Sequence, residues 1–375
     1  MLWGLNEPWK IQEIEVDPPK SGEVLVRWKA AGLCHSDEHL VTGDMVPPAE
    51  MLAAMGEKFF PIIGGHEGAG IVEQVGPDVV GLAPGDHVAA SFIPACGRCR
   101  YCLTGHGNLC NSGSGTLGGG MITDGTPRHF VEGEPVSLIA KIGSFAEVSC
   151  LSQTSVIKVD DDLPFEAVAL VSCGVSTGWG SATERAAVRP GDTVVVVGIG
   201  GIGINAVQGA KVAGAKRLIA VDPIAFKREK ALEFGATHTF ASMEEAIPEV
   251  ATLTQGEMAD KVILSPSVVY GDLMAPAMTL TGKGGTLVVT GVAPMTQTHA
   301  AVNLFELSMW NKEIKGTIFG SLSPHADVPR LLDLYRNGVL KLDELVTRRY
   351  SLDELNDGYD AMRNGTNLRG VVVYD

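Results

Sequence analysis

The sequence predicts an α/β protein with two domains, one β-rich and the other built on a doubly wound parallel sheet. In the first 160 residues, short apolar runs alternate with Pro and Gly clusters, a pattern typical of strands and turns. The composition changes near Leu163, and strand-like runs then alternate with helical patterns to about residue 314, as a helix-covered parallel sheet requires. The 375 residues, 45% hydrophobic and 19% charged, suffice for two cores.

Bulk composition narrows the classes of partner. The formal net charge of -15 argues against nucleic acid and anionic membranes, because both select a basic protein face. No apolar run approaches the roughly 20 residues of a membrane span, and residues 1–10 lack a signal-peptide pattern. We therefore expect a cytoplasmic protein. Its 7 cysteines are unevenly spaced, which in that compartment favours metal binding or catalysis over disulfides.

The first part of the chain holds one dense group of reactive side chains. Two strands are predicted, Ile11–Asp17 and Glu23–Ala31, and residues 34–39 after them read Cys-His-Ser-Asp-Glu-His. No fold needs that density of thiol, hydroxyl, carboxylate and imidazole groups, so we expect a site there. A short helix is predicted at Ala49–Glu57; a surface excursion and a wall of the substrate pocket explain this connection equally well.

A His-Glu pair follows among glycines. His66 and Glu67 lie in a run from Gly64 to Gly70 that contains four glycines, which allow close approach of the backbone. A histidine beside a glutamate is more often structural, but the glycines and the upstream cysteine favour a ligand. Further strands are predicted at Ile71–Val75, His87–Phe92, Phe145–Leu151 and Ser155–Val159, completing a small barrel-like sheet.

Two metal sites are predicted from the cysteines. Cys34, His66 and Cys173 supply two sulfurs and one nitrogen for a catalytic zinc with one open position. Cys173 lies between the helical pattern Pro164–Leu170 and a glycine turn, and alone it would be core packing. The second set is Cys96, Cys99, Cys102 and Cys110, whose spacing suits a closed structural zinc site. An iron–sulfur cluster fits the same spacing, whereas disulfides do not suit the expected compartment.

A dinucleotide site is predicted in the second domain. The β-branched run Thr193–Val197 is typical of a strand buried on both faces. It leads into a G-x-G-x-x-G turn and a helix predicted to continue to Ala213, the context in which this motif binds a pyrophosphate. The residues of the turn are Gly198, Gly200, Gly201, Ile202 and Gly203.

The next strand predicts which dinucleotide is bound. Arg217–Val221 ends in Asp222, at the distance expected for the acid that binds the adenosine ribose, and its carboxylate would repel a 2′-phosphate. We therefore expect NAD. Lys227 could reach the same ribose or remain a solvated helix charge, and Arg369 could reach the phosphates or remain an inert strand-edge cation. Other predicted elements are the strands Thr237–Phe240, Lys261–Leu264, Gly285–Val292 and Gly370–Tyr374 and the helix Val328–Asn337.

These motifs together resemble the zinc-dependent medium-chain alcohol dehydrogenases over nearly the whole chain. Within that family the sequence is most similar to the bacterial nicotinoprotein branch, whose members hold NAD tightly and are assayed with the dye N,N-dimethyl-4-nitrosoaniline (NDMA). The closer similarity lies in Cys34–Asp37, Ser91–Gly97 and Asp343–Thr347. The connection at 49–60 is longer than usual, which leaves the substrate range open.

The resemblance implies a domain arrangement and an assembly. Residues 1–160 and 315–375 would form a GroES-like catalytic domain, with a structural zinc lobe at about 94–112. Residues 161–314 would form a Rossmann domain that binds NAD. The protein would hold two zinc ions per chain, act on a small alcohol or aldehyde, and form a homodimer or homotetramer.

The resemblance also implies roles for individual side chains. The alcohol proton would leave through Ser36 and the nicotinamide ribose to His39, a surface imidazole. Asp37 would orient His66, and Glu67 would lie behind the zinc. Further contacts are implied for His35 with the pyrophosphate, Thr177 and Val292 with the cofactor, and Phe92 with the substrate.

Three functions are consistent with the sequence. The leading one is NAD-dependent oxidation of a primary or aromatic alcohol at zinc, reversible and with NAD held as in nicotinoproteins. The second is a formaldehyde-type dehydrogenase or aldehyde dismutase, which would convert aldehyde alone into paired alcohol and acid. The third is a non-catalytic NAD-binding member of the fold, which commonly lacks the catalytic metal ligands that this chain retains.

Overall fold

The computed structural model describes residues 1–55, 58–116 and 120–375. The chain divides into two compact units. The first unit is Met1–Cys173 with Ser323–Gly338 and Leu342–Asp375, and the second is Gly174–Leu322 with Val339–Lys341. These bounds differ from the expected domains. Residues 161–173 were expected in the Rossmann domain and lie in the first unit, and residues 315–322 were expected in the catalytic domain and lie in the second. The end of the helix predicted to reach Glu57 lies outside the described residues, which show it as Ala49–Met55.

A seven-stranded sheet forms the centre of the first unit. Across the sheet its strands are Val156–Lys158, His87–Ala90, Glu67–Val75, Glu23–Gly32, Arg369–Val373 and Val346–Tyr350, with Val148–Ser152 also paired to Glu23–Gly32. All its pairs are antiparallel except that between the two C-terminal strands. Smaller sheets join Glu15–Val16, His129–Val131 and Glu134–Pro135, and Ile62–Ile63 with Ser137–Leu138. The chain therefore returns to the first unit at its C-terminus, as predicted.

Short helices surround this sheet. The α-helices of the first unit are His35–Thr42, Ala49–Met55, Arg100–Leu103, Phe165–Leu170, Pro324–Arg336 and Leu355–Arg363. Its 3-10 turns are Gly107–Leu109, Asn111–Thr116, Ile139–Lys141, Gln153–Ser155, Asp343–Leu345 and Leu352–Glu354. Trp28 is fully buried at the centre of the sheet's core, and its indole N–H donates to Ser149 Oγ at 3.0 Å.

The second unit contains a six-stranded parallel sheet. Its strands, in spatial order, are His238–Phe240, Arg217–Val221, Thr193–Val197, Ala259–Leu264, Thr281–Val289 and Glu313–Gly316. When these strands are numbered by their order along the chain, their spatial order is 3-2-1-4-5-6, which is that of a dinucleotide-binding doubly wound sheet. Its helical segments are Ser176–Gly180, Ser181–Arg185, Gly201–Val212, Ala225–Phe234, Met243–Leu253, Gly271–Leu273, Met274–Leu280, Leu304–Met309 and Phe319–Ser321. The central strand is buried at all five positions, as its β-branched run predicts.

Two local predictions are wrong. Within the described residues, the strand predicted from Ile11 is paired only at Glu15–Val16, because no described strand lies beside the residues before it and Ile11 is exposed. The glycine turn predicted after Cys173 is instead helical: Val171–Val175 is π-helical and Ser176–Gly180 is α-helical. The glycine at 178 serves packing, since a Cβ there would lie 2.0 Å from the carbonyl oxygen of Ile202.

Candidate catalytic metal centre and cofactor site

Strand register brings the predicted ligands together in the first unit. Gly32, at the end of its strand, pairs with Glu67 on one side and Val371 on the other. Cys34 follows that strand end by two residues, and His66 immediately precedes the neighbouring strand. Antiparallel pairing therefore places residues that are 32 positions apart in sequence at the same end of the sheet.

Four side chains converge there. Cys34, His66, Glu67 and Cys173 each offer one ligand atom, and these atoms all lie within 4.8 Å of one another. The cysteine at 34 is half-buried and the other three residues are buried. Cys173 lies in the π-helical segment Val171–Val175, and single π-helical turns of this kind are frequent at functional sites.

The carboxylate of Asp37 lies against the imidazole of His66, and its predicted role in orienting that ring stays a prediction. Its Oδ1 accepts a hydrogen bond from the backbone N–H of Gly65 at 2.6 Å, and its Oδ2 lies 3.0 Å from His66 Nδ1. Both side chains are almost fully buried. Among the described residues His66 Nε2 has no hydrogen-bond partner, although it too is buried. A buried nitrogen beside two sulfurs is what a zinc ion requires, so these residues fit the metal.

The cysteines and the histidine of this cluster shift one another's pKa values. The pKa of Cys34 is held well below its ordinary value, chiefly because the Cys173 thiol donates to it and His66 is positive beside it. Cys173 consequently keeps its proton, and its pKa is raised well above the ordinary value. Burial opposes the imidazolium of His66, but Asp37 and Cys34 outweigh burial and raise its pKa well above the usual range. A divalent cation would displace these protons, because metal ligation requires thiolates and a neutral imidazole.

Glu67 is held by an arginine from the C-terminal strand. The guanidinium of Arg369 donates to the Glu67 carboxylate and, from the same nitrogen, to the carbonyl oxygen of Leu33 at 3.2 Å. Both charged side chains are nearly fully buried. Arg369 therefore contributes positive charge to the ligand cluster, and its predicted contact with the cofactor phosphates stays a prediction.

The four-cysteine lobe forms a second cluster in the first unit. The sulfurs of Cys96, Cys99, Cys102 and Cys110 also lie within 4.8 Å of one another. Cys110 Sγ accepts from the backbone N–H of Cys96 at 3.3 Å. Backbone N–H groups of Cys102 and Asn111 lower the pKa of Cys99 to about 6, whereas burial raises that of Cys102 to about 12. This closed set of four sulfurs fits a structural zinc.

The predicted relay side chains lie on the helix His35–Thr42. Ser36 Oγ lies 3.7 Å from Cys34 Sγ, next to the ligand cluster. His39 is 3% exposed, so the prediction of a surface imidazole is wrong. The helix ends at Gly43 in a left-handed turn, and Asp44 then folds back so that its Oδ2 lies 3.2 Å from His39 Nδ1.

The glycine motif of the second unit has the shape that a pyrophosphate needs. Gly198 has a φ of +87°, which favours glycine in the turn after the central strand. Gly200 precedes the helix Gly201–Val212, and a Cβ there would meet no atom of the described residues within 4 Å. A Cβ at Gly203 would lie 1.9 Å from the Gly198 carbonyl oxygen. The turn thus leaves an open cradle at its second glycine and packs closely at its third, as in dinucleotide sites.

Asp222 is fixed at the end of its strand. Its Oδ2 accepts from Ile199 N at 2.8 Å, and its Oδ1 accepts from Ile224 N at 2.9 Å. Arg228 donates to the Asp222 carbonyl oxygen at 2.7 Å. The carboxylate is therefore tied to the glycine turn, and each oxygen retains a lone pair for a ribose hydroxyl.

The remaining predicted contact residues lie in different segments of the second unit. Thr177 is buried, and its hydroxyl has no hydrogen-bond partner among the described residues. The carbonyl oxygen of Val292 accepts from Val269 N at 2.8 Å. Lys227 is half-buried on the helix Ala225–Phe234. Their cofactor contacts stay predictions.

Two predicted residues lie near the ligand cluster. The ring of Phe92 meets that of His66 edge-on, with centroids 5.7 Å apart, which is consistent with the predicted pocket wall. His35 begins the helix that carries Ser36, and its ring centroid lies 6.5 Å from that of His39. Its contact with the pyrophosphate stays a prediction.

Sequence reasoning missed three side chains that support the site. Tyr359 is fully buried and lies 3.5 Å, through its hydroxyl, from the carbonyl oxygen of Cys34. Arg363 forms a bidentate pair with Glu38 at 2.7 and 3.0 Å. Asp44 faces His39, as described above. Tyr359 and Arg363 are each 325 positions from their partners and leave no local signal in the sequence, whereas Asp44 lies five positions after His39 and belongs to no motif that would mark it.

Comparison with known proteins identifies the family. Residues 20–161 match the alcohol dehydrogenase GroES-like domain, and residues 201–337 match the zinc-binding dehydrogenase family. The chain is 52% identical, over its full length and 98% of the relative, to an NDMA-dependent alcohol dehydrogenase of Amycolatopsis methanolica. It belongs to the zinc-dependent alcohol dehydrogenase family. The predicted fold class and enzyme family are thereby confirmed.

Solved structures agree with this family. An alcohol dehydrogenase zinc-binding domain protein from Burkholderia ambifaria is 31% identical, with a TM-score of 0.89 over all of this chain and 97% of that one. Benzyl alcohol dehydrogenase from Acinetobacter calcoaceticus is 28% identical, with a TM-score of 0.88 over 100% and 98%. Family membership implies zinc and a nicotinamide-type cofactor. Among the described residues no helix has the length and apolar character needed to cross a bilayer.

Proposed function

We propose that this protein is an alcohol dehydrogenase that reversibly oxidises a primary or aromatic alcohol to its aldehyde. The observation that carries the proposal is the buried convergence of Cys34, His66 and Cys173, with His66 Nε2 left without a hydrogen-bond partner among the described residues. Two relatives support the substrate class by their names, an NDMA-dependent alcohol dehydrogenase and a benzyl alcohol dehydrogenase.

Two zinc sites and one NAD site are part of the proposal. Cys34, His66 and Cys173 would hold the catalytic ion, and the four-cysteine lobe would hold the structural one. When bound, zinc acts as a Lewis acid that lowers the pKa of an alcohol, and NAD accepts the hydride. We place NAD at the glycine turn and Asp222, because the carboxylate suits ribose hydroxyls and repels a 2′-phosphate.

The surrounding residues prepare the site. Asp37 fixes the ring orientation of His66, and the buried pair of Glu67 and Arg369 balances the charge behind the ligands. Ser36, half-buried beside Cys34, receives the alcohol proton and passes it toward His39. The edge of Phe92 packs on His66 and gives the substrate an apolar wall.

The nicotinoprotein character is a finer proposal. The similarity to the NDMA-dependent relative of Amycolatopsis methanolica supports it, because an external dye acceptor suits an enzyme whose NAD stays bound. Stoichiometric NAD(H) released on denaturing the purified protein is the expected result. A supernatant without NAD(H) would remove this part of the proposal and leave the dehydrogenase intact.

We further propose that the protein is a homo-oligomer, either a dimer or a tetramer, in the cytoplasm. The strand Glu313–Gly316 is the last of the second unit's sheet, and the helix before it exposes Leu304 and Phe305 by 72% and 68%. Exposed apolar side chains beside a sheet edge that no other described strand pairs with suit association with a second copy. All seven cysteines are free thiols, in keeping with a reducing compartment.

Matched cysteine substitutions test the proposed function. Cys173→Ser should lose one of two zinc ions per chain and abolish alcohol-dependent reduction of NDMA, because one of two sulfur ligands is removed. Cys150→Ser is the control, since this buried thiol lies outside both metal clusters, and it should keep both ions and the activity. Two zinc ions and full activity in Cys173→Ser would overturn the proposal. With aldehyde as the only added substrate, formation of equal amounts of alcohol and acid would identify a dismutase.

A further inference from the structure

The indole of Trp9 packs against Gly64, two residues before the proposed zinc ligand His66. A Cβ at Gly64 would lie 2.5 Å from Trp9 Cη2 and 2.7 Å from Trp9 Cζ3, which are both atoms of the six-membered ring. It would also lie 2.9 Å from Cδ2 of Phe145. The side chains of Trp9 and Phe145 are both buried. Gly64 therefore lies between two aromatic rings that leave no room for a side chain.

Hydrogen bonds fix the backbone of the same turn. The N–H groups of Phe145 and Ser144 donate to the carbonyl oxygens of Gly64 and Gly65, at 3.0 and 2.8 Å. The N–H of Gly65 donates to Asp37 Oδ1 at 2.6 Å. Gly65 has a φ of +85°, which favours glycine. The backbone that leads into the ligand histidine is thus held by hydrogen bonds as well as by ring contacts.

Trp9 is itself anchored to distant parts of the first unit. Its N–H donates to Asn356 Oδ1 at 3.0 Å, and Asn356 Nδ2 donates to its carbonyl oxygen at 2.9 Å. Its ring stacks on that of Tyr359, with centroids 5.9 Å apart. Upstream, Leu2 and Ile62 exchange two backbone hydrogen bonds, at 2.8 and 2.9 Å. The segment that carries Trp9 is therefore attached to the C-terminal helix and to the strand before the glycine turn.

The indole N–H of Trp9 shows which property of the side chain matters here. Nε1 is buried and has no hydrogen-bond partner among the described residues. Buried indole N–H groups usually find an acceptor, and an unpaired one lowers stability. A phenyl ring would avoid that cost but would lack the atoms that contact Gly64. What tryptophan adds at this position is therefore the reach of its six-membered ring.

We propose that Trp9 is a positioning residue for the catalytic metal site, acting through Gly64 on His66. The inference rests on the proposed function, which assigns a catalytic zinc to this cluster. The indole prevents the turn from moving toward the N-terminal segment, so the imidazole is already in place before the metal binds. A site that is rigid in advance binds its ion more tightly, because binding does not have to order the ligands.

Trp9→Phe tests this role with a small change. The phenyl ring keeps an aromatic group beside Tyr359 but removes Cη2 and Cζ3, and the lost N–H had no described acceptor. In chelator competition, we expect the affinity of the catalytic site for zinc to fall about tenfold, the lower end of the range for residues that support metal ligands. Cobalt(II) exchanged into that site should show altered visible absorption, which reports the geometry of its ligands.

Two comparisons show whether the effect is local. The zinc of the four-cysteine lobe should keep its affinity, and Cys173→Ser, which should retain only that ion, assigns the two sites. Trp3→Phe makes the same change at a side chain that is 38% exposed in the same segment, and it should match wild type.

Gly64→Ala provides the complementary change. The φ of Gly64 lies outside the left-handed region, so the backbone accepts alanine. In wild type the added methyl would strike the indole, and zinc affinity at the catalytic site should fall. In Trp9→Phe the methyl enters the space that the indole leaves. The double variant should therefore bind zinc more tightly than the product of the two separate losses predicts.

The outcomes separate this inference from the proposed function. Unchanged affinity of the catalytic site in Trp9→Phe would overturn the role of Trp9. An equal loss at both zinc sites would also overturn it, as would losses that simply multiply in the double variant, because the effect would then be a general loss of stability. A wild type that holds both zinc ions but oxidises no alcohol would reject the proposed function, while the zinc affinities would still decide the role of Trp9.

Discussion

Alanine at Gly200 and at Gly203 adds the same methyl group at two positions of one turn, and we expect the first to weaken NAD binding and the second to lower the stability of the fold. In the part of the chain that the structure describes, a Cβ at Gly200 would meet no atom within 4 Å, and the residue has a φ of -94°, which any L-residue adopts. A Cβ at Gly203 would lie 1.9 Å from the Gly198 carbonyl oxygen. That contact is more than 1 Å shorter than ordinary van der Waals contact, and backbone atoms have little freedom to move away.

The magnitudes follow from these contacts. Gly200→Ala removes a favoured helix-cap residue, which costs up to about 1 kcal/mol of stability. It also makes the unfolded chain less flexible, which raises stability by up to about 1 kcal/mol, so the net free energy of unfolding should hardly change. Its methyl fills the cradle proposed for the pyrophosphate, and NAD affinity should fall at least about tenfold, or 1.4 kcal/mol. Gly203→Ala gains about 1 kcal/mol of helix propensity but should lose about 1–3 kcal/mol or more to overpacking.

Two assays separate the effects. Urea unfolding of NAD-free protein gives the free energy of unfolding, because bound NAD would otherwise stabilise the folded state by mass action. Isothermal titration of the same preparations gives the affinity for NAD. Unchanged NAD affinity in Gly200→Ala would refute the pyrophosphate cradle. Wild-type stability in Gly203→Ala would refute the close packing of the turn.

Three further predictions concern other parts of the molecule. Asp37→Asn should lower zinc affinity about 10- to 100-fold in chelator competition, since the amide places a donor against His66 Nδ1–H; wild-type affinity would exclude the orienting role. Burial, with Arg128 nearby, lowers the pKa of His129 to about 3. Below pH 6.5 only the unfolded chain protonates it, so stability should fall by up to about 1.4 kcal/mol per pH unit between pH 6.5 and 3. His129→Gln should reduce this pH dependence of the free energy of unfolding, measured by urea titration. A variant with the same pH dependence as wild type would contradict the prediction. Phe305→Glu should reduce the molar mass in light scattering; an unchanged mass would exclude this surface from the assembly.

Elements with a strong local signal were predictable. Thr193–Val197 has the predicted bounds, because a β-branched run before G-x-G-x-x-G constrains both the strand and the turn. The ligand cluster was predictable only from its members taken together: each cysteine or histidine alone has a structural explanation, whereas two thiols and an imidazole suit one zinc ion. The structure then brings Cys34 and His66 together through the pairing of Gly32 with Glu67, which no single segment encodes.

Features that depend on tertiary contact were not predictable. The helical setting of Cys173 was missed because Gly174 and Gly178 were interpreted as a turn, although Gly178 is needed for close helix packing. The burial of His39 was missed because a helix of eight residues with mixed polarity does not reveal what covers it. Arg363 and Glu38 meet across 325 positions, so neither side chain signals the other.

The central claim is that Cys34, His66 and Cys173 share one zinc ion. Diffraction data collected at the zinc absorption edge, from crystals of the protein purified without added metal, test it most directly. We predict an anomalous peak about 2.3 Å from both sulfurs and about 2.0–2.1 Å from His66 Nε2, with one position left for solvent or substrate. An anomalous peak confined to the four-cysteine lobe, with these three side chains bound only to one another, would contradict the claim.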